Sequence, residues 1–407
     1  MSIVIAIAGL AFLVLIHEAG HFFVARFVGM RPRKFYVFFP PALVKVNRGG
    51  IEYGIGSIPL GGYVKIPGMH RPAAGDVDAH FGRALGESPW LDRHLVPVKD
   101  ALDRSDYPEA RAGLVELQAA AERADLSEAA RRGADKGLAE LDDGTSADAY
   151  WRAPTWKRIS VILAGPAANL VFAVAMLAVV YSLGVPAGAT RTVDTVSPGT
   201  PAASIGLRPG DVIEKVGGEE TDHFADVSEQ IRASKGAPIT VTVLRDGELV
   251  ELGPVEAVEI DGRYRLGFVP QAYMRSHPPG EAIVQAFRDT GEVTVAIGKS
   301  LGGIVTGSSR DDVSSAVGIV EQSSQVVEQG FRYYLGVLAL ISLSLALLNL
   351  LPLLPLDGGH IAFSIAEKVR GKAIPREAYE RASFVGIALV LLLFFIGLSN
   401  DIDRLRG

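Results

Sequence analysis

The sequence contains no cysteine, which excludes disulfides and thiolate metal sites, so any metal has to be held by His, Asp or Glu. Net charge is also slight: 40 Lys and Arg against 46 Asp and Glu leave −6 on 407 residues, which by itself points to no partner. No repeat recurs at solenoid or propeller spacing. The first apolar run lacks the charged leader and small-residue cleavage site of a signal peptide, so it is expected to be a retained span. What the chain has in quantity is apolar character. Hydrophobic residues make up 48% and mean hydropathy is +0.25, which favours a membrane protein over an ordinary soluble enzyme.

Four stretches are apolar and long enough to cross a hydrocarbon core: residues 3–23, 159–185, 334–351 and 384–398. Basic residues are distributed unevenly around them. Arg26, Arg31, Arg33 and Lys34 follow the first span, and Arg152, Lys157 and Arg158 precede the second. Lys368, Arg370, Lys372, Arg376 and Arg381 lie between the third and fourth. The positive-inside rule makes these connections cytoplasmic. Both termini and the segment between spans two and three are then expected outside the cytoplasm.

Residues 35–66 are rich in β-branched and aromatic residues broken by Gly and Pro, which predicts a small hairpin sheet at the cytoplasmic face. Residues 71–150 turn to Ala and charged residues. Leu114, Leu117, Leu138 and Leu141 fall at helical intervals there and predict a helical hairpin over 108–123 and 127–141, after a less regular stretch. Between spans two and three, the runs Thr192–Val196, Asp211–Val216 and Ile239–Leu244 alternate with Gly-rich turns and one helix over Phe224–Ala233. They predict a small β-rich domain. Residues 281–304 are amphipathic and are expected along the outer membrane surface.

The expected order is a first span over 1–28, a membrane-associated β-stretch over 29–70, a helical insertion over 71–155 and a second span over 156–187. A β-rich domain over 188–260, an amphipathic region over 261–332 and a third span over 333–360 follow. A cytoplasmic loop over 361–382, a fourth span over 383–400 and a tail over 401–407 complete the chain.

The first span carries His17-Glu18-Ala19-Gly20-His21 near its cytoplasmic end. Histidines four apart share a helix face with Cβ atoms about 5–6 Å apart, so both imidazoles can reach one zinc. Glu18 sits where it can take a proton from a water acidified by the metal. Each ionisable side chain at such depth costs about 2.5–3.5 kcal/mol, so three together require a functional reason.

A catalytic zinc takes three protein ligands and keeps one position open. Residues 24–27 offer none. His223 and His277 belong to the outer segment, and His70, His80 and His94 to a polar cytoplasmic stretch. The end of the third span remains: Asn349-Leu350-Leu351-Pro352-Leu353-Leu354-Pro355-Leu356-Asp357-Gly358-Gly359-His360. Its prolines break the helix at membrane depth, as in a segment lining a site. Asp357 is the expected third ligand, with His360 the competitor by residue type. Asn349, whose amide can donate to a developing oxyanion, is a candidate electrophilic helper, and interhelical hydrogen bonding is its other reading.

These motifs, with Gly165-Pro166-Ala167-Ala168-Asn169 on span two and Pro59-Leu60-Gly61-Gly62-Tyr63-Val64-Lys65 after span one, resemble the site-2 protease family of intramembrane zinc metalloproteases. The likeness is to the group with four core spans and an extracytoplasmic PDZ domain, similar to bacterial regulator-of-sigma-E proteases. The resemblance implies one zinc held by His17, His21 and Asp357, with Glu18 as catalytic base and Asn349 assisting. It implies a PDZ fold for the β-rich domain, which Pro198–Ala203 and Gly206–Asp211 suit, and a possible peptide ligand for it. It further implies that the β-stretch around Gly61, Gly62 and Tyr63 pairs with an extended substrate strand.

A single-span membrane protein already trimmed on its outer side is the implied substrate, an anti-sigma factor first and remnant signal peptides next. The implied location is the bacterial inner membrane, in contact with lipid and without a nucleic-acid partner. Two departures stand out: one PDZ unit where some relatives have two, and a longer insertion over 71–150. The alternative is a catalytically inactive PDZ scaffold, against which the intact Glu18 argues.

Overall fold

A computed structural model of the chain describes residues 1–58, 61–260, 262–306, 315–374 and 376–406. Two compact units emerge: residues 1–177 with 286–407, and residues 178–285.

The first unit begins with α1 (Ser2–Phe27), whose buried residues Leu13, His17, His21 and Ala25 recur every fourth position as one stripe. Ile3, Val4, Phe12 and Phe23 stay exposed, as a lipid-facing surface requires. β1 (Lys34–Val37), β2 (Phe39–Arg48), β3 (Ile51–Ile58) and β4 (Tyr63–Lys65) then form a sheet in the order β2-β3-β1-β4. β2 and β3 are the expected hairpin, turning at Gly49-Gly50 with both φ positive, a conformation that favours glycine. β1 pairs parallel to β3 and antiparallel to β4, which leaves β4 as an edge strand. Within the sheet Glu52 accepts from the Tyr36 hydroxyl (2.7 Å) and pairs with Lys34 Nζ (2.9 Å). These partners outweigh burial and hold its carboxyl down to about 2.

The insertion is a four-helix unit: α2 (Ala74–Glu87), α3 (Asp92–Asp103), α4 (Tyr107–Arg123) and α5 (Glu128–Thr145). The last two are the expected hairpin, capped by Asp106 on the Glu109 amide (3.0 Å) and Ser127 on the Ala130 amide (3.2 Å). The stretch before it, expected to be less regular, is helical as well. Phe81, Leu91, Val98, Leu117 and Leu141 fill the shared core. At the end of α5 the buried Asp143 accepts Arg33 Nε at 2.9 Å and Lys65 Nζ at 2.7 Å, which ties the insertion to the end of β4 and the start of β1. Then follows α6 (Thr155–Leu183), apolar along its length with Pro166 inside.

The second unit is the β-rich one. It comprises β5 (Val185–Val196), α7 (Pro201–Ser204), β6 (Val212–Val216), β7 (Glu219–Glu220), α8 (Phe224–Ala233), β8 (Ile239–Arg245) and β9 (Glu248–Val255). After β10 (Val258–Ile260) and β11 (Arg263–Arg265), β12 (Phe268–Arg275) returns to pair with β5. The sheet order is β12-β5-β6-β8-β9, with β7 on β6. The β-rich fold therefore continues past residue 260, where it was expected to end. Ile213, Val216, Val227, Val241 and Val243 form its core. Asp211 is buried under the Arg245 fork, with both contacts at 2.7 Å, and accepts the Arg208 amide at 2.8 Å.

The chain continues through α9 (Pro279–Thr306), α10 (Ala316–Gln329) and α11 (Phe331–Asn349). α10 is part of the helical unit: Val326 and Val327 pack with Leu13, Tyr334 and Leu338. A short turn leads into α12 (Asp357–Arg370) and then α13 (Arg376–Arg406). The connection expected as a loop over 361–382 is thus largely helical. Among the described residues, α1, α6, α11 and residues 377–402 of α13 are long and apolar enough to cross a membrane.

Candidate metal centre

Three side chains converge from α1 and the start of α12. His17 Nε2 lies 3.2 Å from Asp357 Oδ2 and His21 Nε2 lies 3.4 Å from the same oxygen. The two Nε2 atoms are 3.2 Å apart. All three residues are buried or nearly so, and among the described residues they are the group able to hold a metal ion. His360, the competing ligand by type, is outside it.

The group fits zinc on its own geometry. Donors on a tetrahedron with bonds of 2.0–2.1 Å are separated by about 3.3 Å, close to all three edges here. Asp357 Oδ2 is buried and has no hydrogen-bond partner. His21 Nδ1 lies 2.8 Å from the Val161 carbonyl, to which its N–H donates, so the Nε2 lone pair faces the group. His17 Nδ1 is 3.4 Å from the Asn169 amide nitrogen, while Asn169 Oδ1 is buried without a partner. Turning that amide by half a turn lets Oδ1 accept the His17 Nδ1–H and frees Nε2 in the same way.

Close backbone approach makes the convergence possible. A Cβ on Gly165 would lie 2.3 Å from His21 Nε2 and 2.9 Å from His17 Cε1, so α6 can pass this near only as glycine. A Cβ on Gly20 would lie 2.3 Å from the Ala164 carbonyl, the reciprocal contact on α1. Asp357 opens α12 after a tight turn: Leu353 N–H donates to the Leu351 carbonyl (2.7 Å) and Leu356 N–H to the Leu353 carbonyl (2.8 Å). A Cβ on Gly358 would lie 2.2 Å from the Leu350 carbonyl, so that turn cannot open to admit a side chain.

Glu18 is half-buried beside His17. A Cβ on Gly62 would lie 2.1 Å from Glu18 Cγ, so the approach to edge strand β4 lies against that side chain. Gly61 has φ of 144° and faces the Phe39 ring, and Tyr63 opens β4 opposite Tyr36. Pro59 and Leu60 of this turn lie outside the described residues. Asn349 ends α11, and its amide donates to the Leu345 carbonyl one turn back (3.0 Å) rather than to the three-residue group. Asn169 is the residue whose part at the centre was not assigned from sequence. Its signal in the sequence was an amide within an otherwise apolar span.

Comparison with known proteins agrees in scope with this geometry. A zinc metalloprotease RasP of Oceanobacillus iheyensis is 30% identical over 416 residues, covering 97% of this chain and 96% of its own. Another from Shouchella clausii is 29% identical, with 98% of each chain covered. The regulator of sigma-W protease RasP of Bacillus subtilis is 28% identical over 97% of this chain and 96% of its own. The family model of peptidase family M50 matches residues 5–393, and the chain belongs to that family.

Proposed function

We propose that this zinc metalloprotease cuts a peptide bond in or near the transmembrane segment of a single-span membrane protein, with His17, His21 and Asp357 holding the metal and Glu18 as general base. The observation that carries the reading is the buried triangle of donor atoms from α1 and the start of α12, beside Glu18 on an α1 apolar enough to cross a membrane. The metal, when bound, supplies Lewis acidity that polarises a carbonyl and acidifies water. Glu18 takes the proton from the attacking water and returns it to the leaving nitrogen. Val161 and Asn169 hold the imidazoles in their ligand orientation. Asn349 serves the developing oxyanion once its amide leaves the Leu345 carbonyl.

Edge strand β4, with Gly61, Gly62 and Tyr63, supports binding of an extended substrate strand alongside Glu18. Such pairing needs the substrate helix to unwind, which also uncovers the scissile carbonyl. The relative named a regulator of sigma-W protease supports a pre-trimmed anti-sigma factor as substrate. The basic residues flanking α1, α6 and α12 support a centre near the cytoplasmic side, and strand order with α8 supports a PDZ fold for residues 185–275 outside it.

The test compares Asp357→Ala with His360→Ala in purified full-length protein by metal analysis and by cleavage of a single-span substrate. Asp357→Ala is expected to lose most bound zinc and cleavage, and His360→Ala to keep its zinc. The reverse pattern overturns the ligand set.

A further inference from the structure

Away from the metal centre, a cavity of about 400 Å³ opens where the start of α6, the last turn of α12 and the first turn of α13 meet. The apolar stretches of α6 and α13 begin just beyond it, so it lies at the level where spans enter a membrane. Arg71, Arg158, Lys368 and Lys372 line it against one carboxylate, Glu367. That carboxylate is engaged already, 2.6 Å from an Arg158 Nη and 3.0 Å from the Ile374 amide.

Arg158 is a built-in cation rather than a surface one. It is only 8% exposed, and its Nη2 also donates to Ser364 Oγ at 3.0 Å, yet its Nε is buried with no hydrogen-bond partner. Arg71 is held by donation to Tyr107 Oη (2.6 Å) and Ser105 Oγ (2.7 Å), and lies 5.5 Å over the Trp151 ring, which leaves further donors free to serve a ligand. Lys368 and Lys372 are exposed at the mouth. Trp151 and Tyr379 add aromatic rings of the kind that settle at headgroup depth.

We propose that this cavity binds a phosphate ester of net negative charge, the phosphate seated among Arg158, Arg71 and the two lysines. Guanidinium groups offer paired donors to phosphate oxygens, lysines add point charge, and the volume suits a small polar headgroup. A basic pocket between helix ends at the membrane boundary is also the setting in which anionic lipid headgroups are held. Exposed Phe384 and Val385, further along α13, offer apolar surface for acyl chains.

Purified full-length protein in neutral detergent, titrated with phosphatidylglycerol or phosphatidylcholine and read by native mass spectrometry, tests this. Inorganic phosphate is added in a parallel thermal-unfolding series. Phosphatidylglycerol is expected to bind at least tenfold tighter than phosphatidylcholine, and Lys368→Gln with Lys372→Gln to weaken it about tenfold with bound zinc unchanged. Protection by inorganic phosphate, lost in the same double variant and without lipid preference, would assign the site to a soluble phosphate ester. Arg158→Gln strands Glu367 and risks unfolding, so the exposed lysine pair decides. Equal retention of the two lipids with no protection by phosphate overturns the proposal, as does phosphatidylglycerol binding unchanged in the double variant.

Discussion

Gly165 shows how narrowly single residues set the centre. Its missing side chain is the space both imidazoles use, and a Cβ there would sit 2.3 Å from His21 Nε2. Gly165→Ala is therefore expected to displace His21 and cut zinc affinity by about 100-fold while helical circular dichroism persists. Metal analysis after dialysis against a weak chelator reads this, and full zinc retention would contradict the close approach. At this scale much was legible. The convergence of His17 and His21 is foreshadowed by their helical spacing, and that of Asp357 with them by the broken helix end at matching depth. Asn349 was less so, because nothing in the sequence tells whether its amide serves the site or its own helix, where it donates to Leu345. Asn169 needed the fold, since its contact with His17 joins two separate spans.

Among elements, the β4 edge beside Glu18 depends on the insertion. Asp143 on α5 grips Lys65 of β4 and Arg33 ahead of β1, all within hydrogen-bond reach. Asp143→Asn is expected to lower cleavage about tenfold by loosening β4 while bound zinc stays near wild type. Unchanged cleavage would show that the insertion does not brace the strand. In the β-rich unit, burial works to raise the Asp211 carboxyl, but the Arg245 fork and the Arg208 amide hold it below its ordinary value. Its unfolded value is about 3.9, so its contribution is complete above that pH and fades as pH falls through the folded pKa. Hydrogen exchange of β6 and β8 amides is expected to show constant stability from pH 7 to 5 and loss below about pH 4. Asp211→Asn should remove that step and cost about 3 kcal/mol at pH 7. A wild-type acid step retained in the variant would assign it to another group.

The elements missed from sequence have physical reasons. Gly75, Gly82, Gly86 and Pro97 dilute the helical signal of α2 and α3, though Val77, Phe81 and Ala84 keep the apolar stripe. Pro270 argues against a strand at β12, yet the strand lies at the sheet edge, where a missing amide is tolerated. α12 reads as a charged loop because Lys368 and Arg370 belong to its exposed last turn, where cations favour the helix dipole.

For the whole molecule, the architecture brings α1 and α12, far apart in sequence, to one buried point. α1 supplies two donors and Glu18, α12 supplies the third donor, and α6 lies between with Gly165 and Asn169. Four apolar helices were legible from hydropathy alone, as was a β-rich unit between the second and third. The close packing that turns these into a centre was not, because it depends on which faces meet.

In the proposed reaction, hydrolysis runs through Glu18 beside a metal held by His17, His21 and Asp357. It is tested most directly in proteoliposomes carrying a single-span substrate trimmed on its outer side, comparing wild type with Glu18→Gln. The variant is expected to keep about one zinc per chain and to lose cleavage by at least a factor of about a thousand. Removal of zinc should abolish cleavage in wild type. Cleavage by Glu18→Gln at the wild-type rate, or by wild type stripped of zinc, would rule out this mechanism.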